Sequence, residues 1–320
     1  IVQYKSRMNN NKIAIILPAY NEAATINQVI KNFHNEFPDA FIYVIDNNSK
    51  DDTNKIAHET YKELTCNGEL LFVREQGKAN AIRYAHSYID ADFYVMVDAD
   101  LTYSAKDLHK LLTPLINNEA DMVVGDTISE GKYAAENTRA IHGLGNSIVK
   151  NLINFLFKAS LNDIMTGYRA CNKKFIKNYP VLCEGFELET DVSIHALHYR
   201  YRILEVPINY CARPDGSISK LNTYRDGFKV LKTIFWIFKD YRPLIFFSTL
   251  SLIFCFCGLL AGVFPIHDYI TTKEIEHFPL AILASGLMIF SVSLLMAGFV
   301  LDTIVRLHRF NYEIEFLKKH

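Results

Sequence analysis

Short apolar runs alternate with longer mixed stretches along the first two hundred residues of the chain. Each run is rich in β-branched or aromatic residues and too short for a buried helix, which predicts buried strands. The five runs are Ile13–Leu17, Phe41–Asp46, Leu70–Val73, Phe93–Asp98 and Met122–Asp126. The helical segments between them start near Ala23, Thr53, Lys78 and Ala105. This alternation predicts an α/β fold, in which a mostly parallel sheet carries helices on both faces.

The pattern changes completely in the last eighty residues. Pro243–Pro265 and Phe278–Leu301 contain no charged residue. A run of about 20 apolar residues crosses a bilayer as a helix. A pair of buried core helices is the alternative, but neither segment has the polar face expected of a helix at the surface of a core. The two segments therefore predict a transmembrane hairpin.

Basic residues are concentrated on one side of this hairpin. The loop Ile266–His277 has one lysine and three acidic residues. The residues before the first span include Lys229, Lys232, Lys239 and Arg242, and the tail includes Arg306, Arg309, Lys318 and Lys319. Because basic flanks stay in the cytoplasm, we expect an inner-membrane protein with a cytoplasmic domain and tail and an external loop.

Two stretches have the composition of helices that lie on a membrane surface. Ile148–Phe157 has an apolar face, with Lys150 and Asn154 opposite. Tyr224–Arg242 mixes basic and aromatic residues and includes the single tryptophan, Trp236. Such helices lie in the membrane interface. We therefore expect a catalytic domain at 1–221, an interfacial region at 222–242, the hairpin at 243–301 and a tail at 302–320.

Charge and cysteine usage narrow the class of protein further. The formal net charge of -1 argues against a nucleic-acid-binding protein. The six cysteines form no CxxC pair, which favours a reduced soluble part facing the cytosol. The polar N-terminal stretch lacks the apolar segment of a signal peptide.

Polar clusters follow three of the predicted strands. PAYNE follows the first, DNNSKDDT the second and DAD the fourth. Ligands of parallel sheets bind beyond the carboxyl ends of the strands. Three independent solvated turns are the alternative, but three clusters at one edge favour a binding site.

The DAD cluster places Asp98 and Asp100 at the end of an apolar run. Two like charges there repel each other unless a positive group lies between them. Because side chains alternate along a strand, both carboxylates are expected on the same side. Hard carboxylate oxygens suit Mg²⁺ or Mn²⁺, which complete their coordination with phosphate oxygens and water. A DxD alone is weak evidence, but its position predicts a metal site.

Seven motifs in order resemble those of family 2 glycosyltransferases of GT-A fold. They are LPAYNEAATI, VIDNNSKDDT, GKANAI, VDADLTY, DIMTGYRA, GFELETD and RPDGSISKLNTYRDG. More narrowly, the set is similar to the polyprenyl-phosphate glycosyltransferases, the group that contains dolichol-phosphate mannose synthase. The resemblance covers roughly Lys12–Lys239, and one bacterial branch shares the two-helix anchor. It implies a Rossmann-like catalytic domain and leaves the sugar undefined.

The resemblance implies a nucleotide site built from four of these motifs. The loop Pro18–Glu22 would lie over the base, with Ala19, Tyr20 and Glu22 lining the base and ribose. Asn21 is also a candidate helix cap, and Asp51 and Asp52 are expected to cap the next helix. Asp46 would bind uracil or ribose, with Asn47 where many relatives have a second acid. The remaining contacts are expected from Lys78, Asp98 and Ala99, although Lys78 could equally be solvated.

A second set of residues is expected to serve the acceptor, a lipid phosphate. Asp163 would orient the acceptor or act as its base, and Arg169 would assist it or pair with Asp163. Glu187 and Glu189 would support the metal site or cap a helix, and Thr102 stands where some relatives have a metal-binding Gln. Basic residues would hold the donor and acceptor phosphates; they are Arg139, Arg213 and Lys220.

These expectations together describe an inverting, metal-dependent sugar transferase. The donor would be a UDP-linked sugar and the acceptor a polyprenyl phosphate such as undecaprenyl phosphate. A processive glycan synthase is one alternative, but its QxxRW motif is absent because Lys232 stands four residues before Trp236. A non-catalytic scaffold is the other, and the intact acidic and basic motifs argue against it. A homo-oligomer is compatible with the sequence.

Overall fold

The structure is a computed structural model that describes residues 11–128, 140–181, 183, 188–211, 235–274 and 277–319. The chain divides into two compact units, Ile1–Gly227 and Phe228–His320. The first unit holds the sheet and the second holds the long apolar helices.

The first unit is built on a seven-stranded sheet. Its strands are β1 (Ile13–Ala19), β2 (Phe41–Asp46), β3 (Gly68–Phe72), β4 (Phe93–Met96), β5 (Met122–Asp126), β6 (Arg169–Asn172) and β7 (Ile203–Pro207). Their spatial order is β3-β2-β1-β4-β6-β5-β7. Only β6 runs against its neighbours β4 and β5, while the other pairs are parallel. The mostly parallel α/β sheet is therefore confirmed.

The central strand shows why these runs form a buried sheet. Ile13 through Leu17 of β1 are all buried, and alternate side chains enter two different cores. Ile15 and Leu17 pack with the core on one face, and Ala14 and Ile16 with the core on the other. A strand covered on both faces needs apolar residues at every position, which explains the continuous runs in the sequence.

Helices cover both faces of this sheet. They are α1 (Ile26–Glu36), α2 (Thr53–Leu64), α3 (Lys78–Tyr88), α4 (Leu108–Ile116), α5 (Ala140–Phe157), α6 (Lys173–Asn178) and α7 (Leu188–His198). A 3₁₀ turn at Ala105–Asp107 precedes α4. Helix α1 illustrates the pattern, because Ile26, Val29, Ile30 and Phe33 recur on its buried face.

Two strand ends near the polar clusters differ from the sequence-based expectation. β1 continues through Pro18 and Ala19, so the loop over the proposed base begins at Tyr20. β4 ends at Met96, two residues before Asp98. The strand register explains the first difference, since Ala19 pairs with Asp46 at the end of β2. An apolar run in the sequence predicts which residues are buried, but it does not show at which residue the hydrogen bonding between strands stops.

Helix α5 begins before the predicted amphipathic stretch at Ile148. It buries Val149, Ile153 and Leu156 on one face. Ile148 and Phe155 are exposed, Phe155 by 76%. An exposed phenylalanine of this kind is suited to a membrane surface, and that role remains a prediction. Of the other predicted interfacial stretch the structure describes only residues from 235 on, which are helical up to 241.

The second unit contains α8 (Pro243–Thr272) and α9 (Phe278–Lys319). Both are long and apolar enough to cross a membrane, and only 11% of each apolar window is buried. That low burial contradicts the alternative of two core helices. The helices contact each other through a buried Ser251–Ser291 hydrogen bond of 3.0 Å and through Phe254 and Phe290, whose ring centroids lie 4.9 Å apart.

Both helices extend beyond the predicted spans 243–265 and 278–301. At about 1.5 Å per residue, the 30 residues of α8 span roughly 45 Å, more than the roughly 30 Å hydrocarbon core of a bilayer. Hydropathy marks only the part of a helix that lipid would cover. Helical hydrogen bonding continues past it, through most of the expected loop as far as Thr272 and through the tail as far as Lys319.

Candidate active site

Segments that follow β1, β2 and β4 meet at one edge of the sheet. The Asn47 N–H donates to the Ala19 carbonyl at 2.9 Å. The Thr25 hydroxyl donates to the Ala99 carbonyl at 2.7 Å, which joins the segment after β1 to the DAD segment. The three polar clusters therefore lie together, as their positions after parallel strands predict.

The loop after β1 is fixed by the loop after β2. Asn21 adopts a left-handed conformation with φ 54°, and its side-chain oxygen accepts the Lys50 N–H at 2.8 Å. The Glu22 N–H donates to the Thr53 hydroxyl at 2.8 Å. The expectation that Asn21 caps a helix was wrong, because α1 begins only at Ile26, with Thr25 as its N-cap.

Asp46 and Asn47 shape the end of β2. Asp46 is 2% exposed, and its carboxylate accepts hydrogen bonds from the Ser49 N–H and the Asn54 amide, both at 3.0 Å. Asn47 accepts the Gly77 N–H at 2.6 Å and donates to the Glu75 carbonyl at 2.6 Å. Asn47 thus supports the turn before α3 from inside the protein.

The expected cap of α2 is confirmed for Asp51 but not for Asp52. The Asp51 carboxylate accepts the Thr53 N–H at 3.1 Å, whereas Asp52 makes no side-chain cap. Burial would raise the pKa of Asp51, but hydrogen bonds from Thr53 and Ala23 outweigh it, so the pKa lies below its usual value. Asp51 is therefore held as a structural carboxylate.

The two acids of the DAD motif have different surroundings. The Asp98 side chain is 30% exposed. Asp100 is only 3% exposed, and its Oδ1 accepts the Thr102 hydroxyl at 2.5 Å and the Thr102 N–H at 3.2 Å. Leu101, which follows Asp100, adopts a left-handed backbone conformation with φ 63°, so the chain turns directly after the DAD motif. Strand alternation therefore does not apply here because β4 ends at Met96, and the placement of both carboxylates on one side stays a prediction.

Lys78 supplies positive charge to this edge of the sheet. Its ammonium pairs with Asp98 and lies 2.5 Å from Oε1 of Glu189. Burial alone would lower the pKa of Lys78, but the two carboxylates outweigh it and raise the pKa well above its usual value. The alternative of a solvated lysine was wrong, because the side chain is only 16% exposed.

A turn at residues 163–167 packs directly against Asp98. A Cβ added at Gly167 would lie 2.5 Å from Oδ2 of Asp98, so only glycine leaves space for that carboxylate. The Gly167 N–H donates to the Tyr103 hydroxyl at 3.1 Å. In the sequence, Gly167 is recognisable only as part of the DIMTGYRA motif. Its contacts with Asp98 and Tyr103 join residues that are far apart in the chain, so no local pattern predicts them.

Asp163 and Arg169 both hydrogen-bond to the backbone of this turn. Asp163 accepts the Thr127 hydroxyl at 2.5 Å and the N–H groups of Thr127, Met165 and Thr166 at 3.1–3.2 Å. Arg169 is 1% exposed and donates to the carbonyls of Ile164 and Thr166. Burial lowers the pKa of Arg169. These contacts support a positioning role for both residues, and their catalytic role stays a prediction.

The structure describes only some of the residues of the predicted site. Arg139, Glu187, Arg213 and Lys220 lie outside them, so their roles stay predictions. Within the described ranges, no group of three or more His, Cys, Asp or Glu is arranged to hold a metal. Asp98 and Asp100 nevertheless fit a divalent cation, because they offer hard oxygens and Asp98 already binds an ammonium group. Such a site would need phosphate oxygens or water to complete it.

The mostly parallel seven-stranded sheet is that of a GT-A-like fold, and the acidic pair Asp98 and Asp100 follows its strand β4. The profile of the Glycosyl transferase family 2 matches residues 14–179, about half of the chain. The chain belongs to this family and is a transferase enzyme.

Three comparisons place the chain within known proteins. It is 30% identical to "Glycosyltransferase AglJ" of Haloferax volcanii over 298 residues, covering 93% of this chain and 95% of the relative. It is 27% identical to "UDP-N-acetylglucosamine--dolichyl-phosphate N-acetylglucosaminyltransferase" of Methanococcus voltae, covering 70% and 94%. A crystal structure of Mycobacterium tuberculosis glucosyl-3-phosphoglycerate synthase with Mn²⁺ and UDP-glucose shares the fold, with TM-score 0.56, 20% identity and coverage of 73% and 82%.

Substituting Gly167→Ala should displace the Asp98 carboxylate, because the new Cβ would collide with Oδ2. We expect sugar transfer to fall by about tenfold or more, since a misplaced group at a reacting centre costs about that much or more. Gly286→Ala is the matched control, because an added Cβ there meets nothing within 4 Å. Equal transfer rates in the two variants would contradict the assigned contact between Gly167 and Asp98.

Proposed function

We propose that this protein transfers a sugar from a nucleotide diphosphate donor, UDP-linked, to a polyprenyl phosphate at the cytoplasmic face of a membrane. The observation that carries the proposal is the partly exposed Asp98 carboxylate at the carboxyl edge of the sheet, the same edge that holds the Tyr20–Glu22 loop and Asp46. The fold of a UDP-glucose-binding enzyme and the name of the Methanococcus voltae relative support this donor and acceptor.

The residues at the sheet edge suit a nucleotide diphosphate in distinct ways. Tyr20 is half-buried and offers an aromatic ring beside the end of β1. Asp46, which is fixed at the end of β2 by two hydrogen bonds, would accept a further hydrogen bond from a base or ribose. Asp98 and Asp100 would hold the divalent cation. Bound Mg²⁺ or Mn²⁺ would supply positive charge that stabilises the leaving diphosphate.

The acceptor needs little activation at this site. A lipid phosphate is already anionic near neutral pH, so it can attack the sugar without a strong base. Asp163 accepts four hydrogen bonds at a buried position, which suits positioning better than proton transfer. Attack from the face opposite the diphosphate would invert the sugar carbon. Basic residues predicted to bind the two phosphates, Arg213 and Lys220, precede the apolar helices in the chain.

Asp98→Asn should abolish sugar transfer while the protein stays folded and membrane-bound. The substitution keeps the size of the side chain but removes the charge that a cation requires. The measurement is transfer of radiolabelled sugar from a panel of nucleotide sugars to polyprenyl phosphate, followed by lipid extraction. We expect a loss of about a hundredfold or more.

Asp39→Asn is the control, because Asp39 is exposed and precedes β2, at the opposite end of that strand from the site. Near-normal transfer by Asp98→Asn with Mn²⁺ supplied would contradict the metal site. The proposed acceptor would be contradicted if the unmodified enzyme transferred sugar to a soluble acceptor but, with every donor tested, to no lipid phosphate.

The orientation in the membrane follows from the basic flanks of the hairpin and is also part of the proposal. A cysteine at Thr272, at the end of α8, should react with a membrane-impermeant maleimide in intact cells. A cysteine at Ser104, in the sheet unit, should react only after the membrane is opened. The unmodified chain gives the baseline for its own cysteines. The reverse labelling pattern would show that the catalytic unit lies outside.

A further inference from the structure

Lys78 is the first residue of α3, and its ammonium group lies between two carboxylates from distant parts of the chain. Asp98 follows β4, and Glu189 lies in the first turn of α7. The Lys78 side chain is 16% exposed and the Glu189 side chain 8%. Charges this poorly hydrated interact strongly, so the ammonium has a defined position and two possible partners.

The pairing with Asp98 creates a conflict with the proposed metal site. A divalent cation at Asp98 would repel an ammonium group on the same carboxylate. Glu189 offers Lys78 a second carboxylate, with Nζ already 2.5 Å from Oε1. The ammonium can therefore leave Asp98 without losing its pairing inside the protein, which makes the exchange far less costly than exposing an unpaired buried charge.

We propose that Lys78 is a positioning residue that competes with the divalent cation for Asp98, and that Glu189 retains the ammonium group when the cation binds. This inference rests on the proposed function, because it assumes cation binding at Asp98. It makes cation binding weak in the absence of the donor. The donor diphosphate adds negative charge beside both positive groups, so the donor and the cation bind cooperatively.

The test is Mn²⁺ binding to the full-length protein in detergent without nucleotide, followed by the electron paramagnetic resonance signal of free Mn²⁺. Lys78→Met removes the competitor, so Mn²⁺ should bind about tenfold more tightly. Glu189→Gln leaves Lys78 with Asp98 alone, so Mn²⁺ should bind about fivefold more weakly. Lys55→Met, at an exposed position of α2, is the control for loss of one positive charge and should leave the affinity unchanged.

The double variant Lys78→Met/Glu189→Gln separates this mechanism from simpler ones. It has the same net charge as the unmodified protein and leaves no unpaired buried glutamate, which guards against misfolding of Lys78→Met. It should still bind Mn²⁺ about threefold or more tightly than the unmodified protein, because Asp98 has lost its competitor. Weaker binding in the double variant would instead identify Glu189 as a direct metal ligand and overturn the inference.

UDP binding on the same variants distinguishes the remaining outcome. If Lys78 serves only the donor phosphates, Lys78→Met weakens UDP binding and leaves Mn²⁺ binding unchanged, which overturns the inference. Failure of the proposed function has a different signature. Mn²⁺ affinities would then shift as expected in the variants, while the unmodified protein transfers no sugar to lipid phosphate.

Discussion

The site depends on how the protein accommodates negative charge at one edge of its sheet. Asp98 and Asp100 stand two residues apart, and Glu189 is brought close by α7. Such a group of carboxylates is unstable without a compensating positive charge. In the described part of the chain Lys78 provides that charge, and it binds two of the three acids. A divalent cation would add positive charge beside these acids, and a nucleotide diphosphate would add negative charge. A site for a sugar nucleotide has to accommodate both.

The remaining structure keeps this group of charges in place. Asp163 and Arg169 bind the 163–167 turn through its N–H groups and carbonyls respectively, and the turn presents Gly167 to Asp98. Arg169 opens β6, the antiparallel strand next to β4, so the sheet itself sets the distance between the turn and the carboxylate. Asp163 and Arg169, which were expected to act on the acceptor, therefore hold the 163–167 turn in position.

The strands that are buried on both faces could be predicted from the sequence, because short continuous apolar runs between polar turns are typical of such strands. Strands β6 and β7 were missed. Strand β6 has only four residues and begins with arginine, and β7 is a partly exposed edge strand with a glutamate at its centre, so neither is a continuous apolar run. The three polar clusters were placed at one edge correctly because strand direction alone decides that. The position of Lys78 between Asp98 and Glu189 could not be predicted, because Lys78 and Glu189 are 111 residues apart and their approach depends on tertiary packing. Hydropathy located α8 and α9 and their first residues, but not the residues at which they end.

The central claim is that this sheet edge binds a nucleotide diphosphate together with a divalent cation. Calorimetric titration of the full-length protein with UDP, with and without Mn²⁺, tests it most directly, with uridine as the ligand that lacks phosphates. The account predicts that Mn²⁺ strengthens UDP binding by about tenfold or more and leaves uridine binding unchanged. UDP binding of equal strength with and without Mn²⁺ would contradict it.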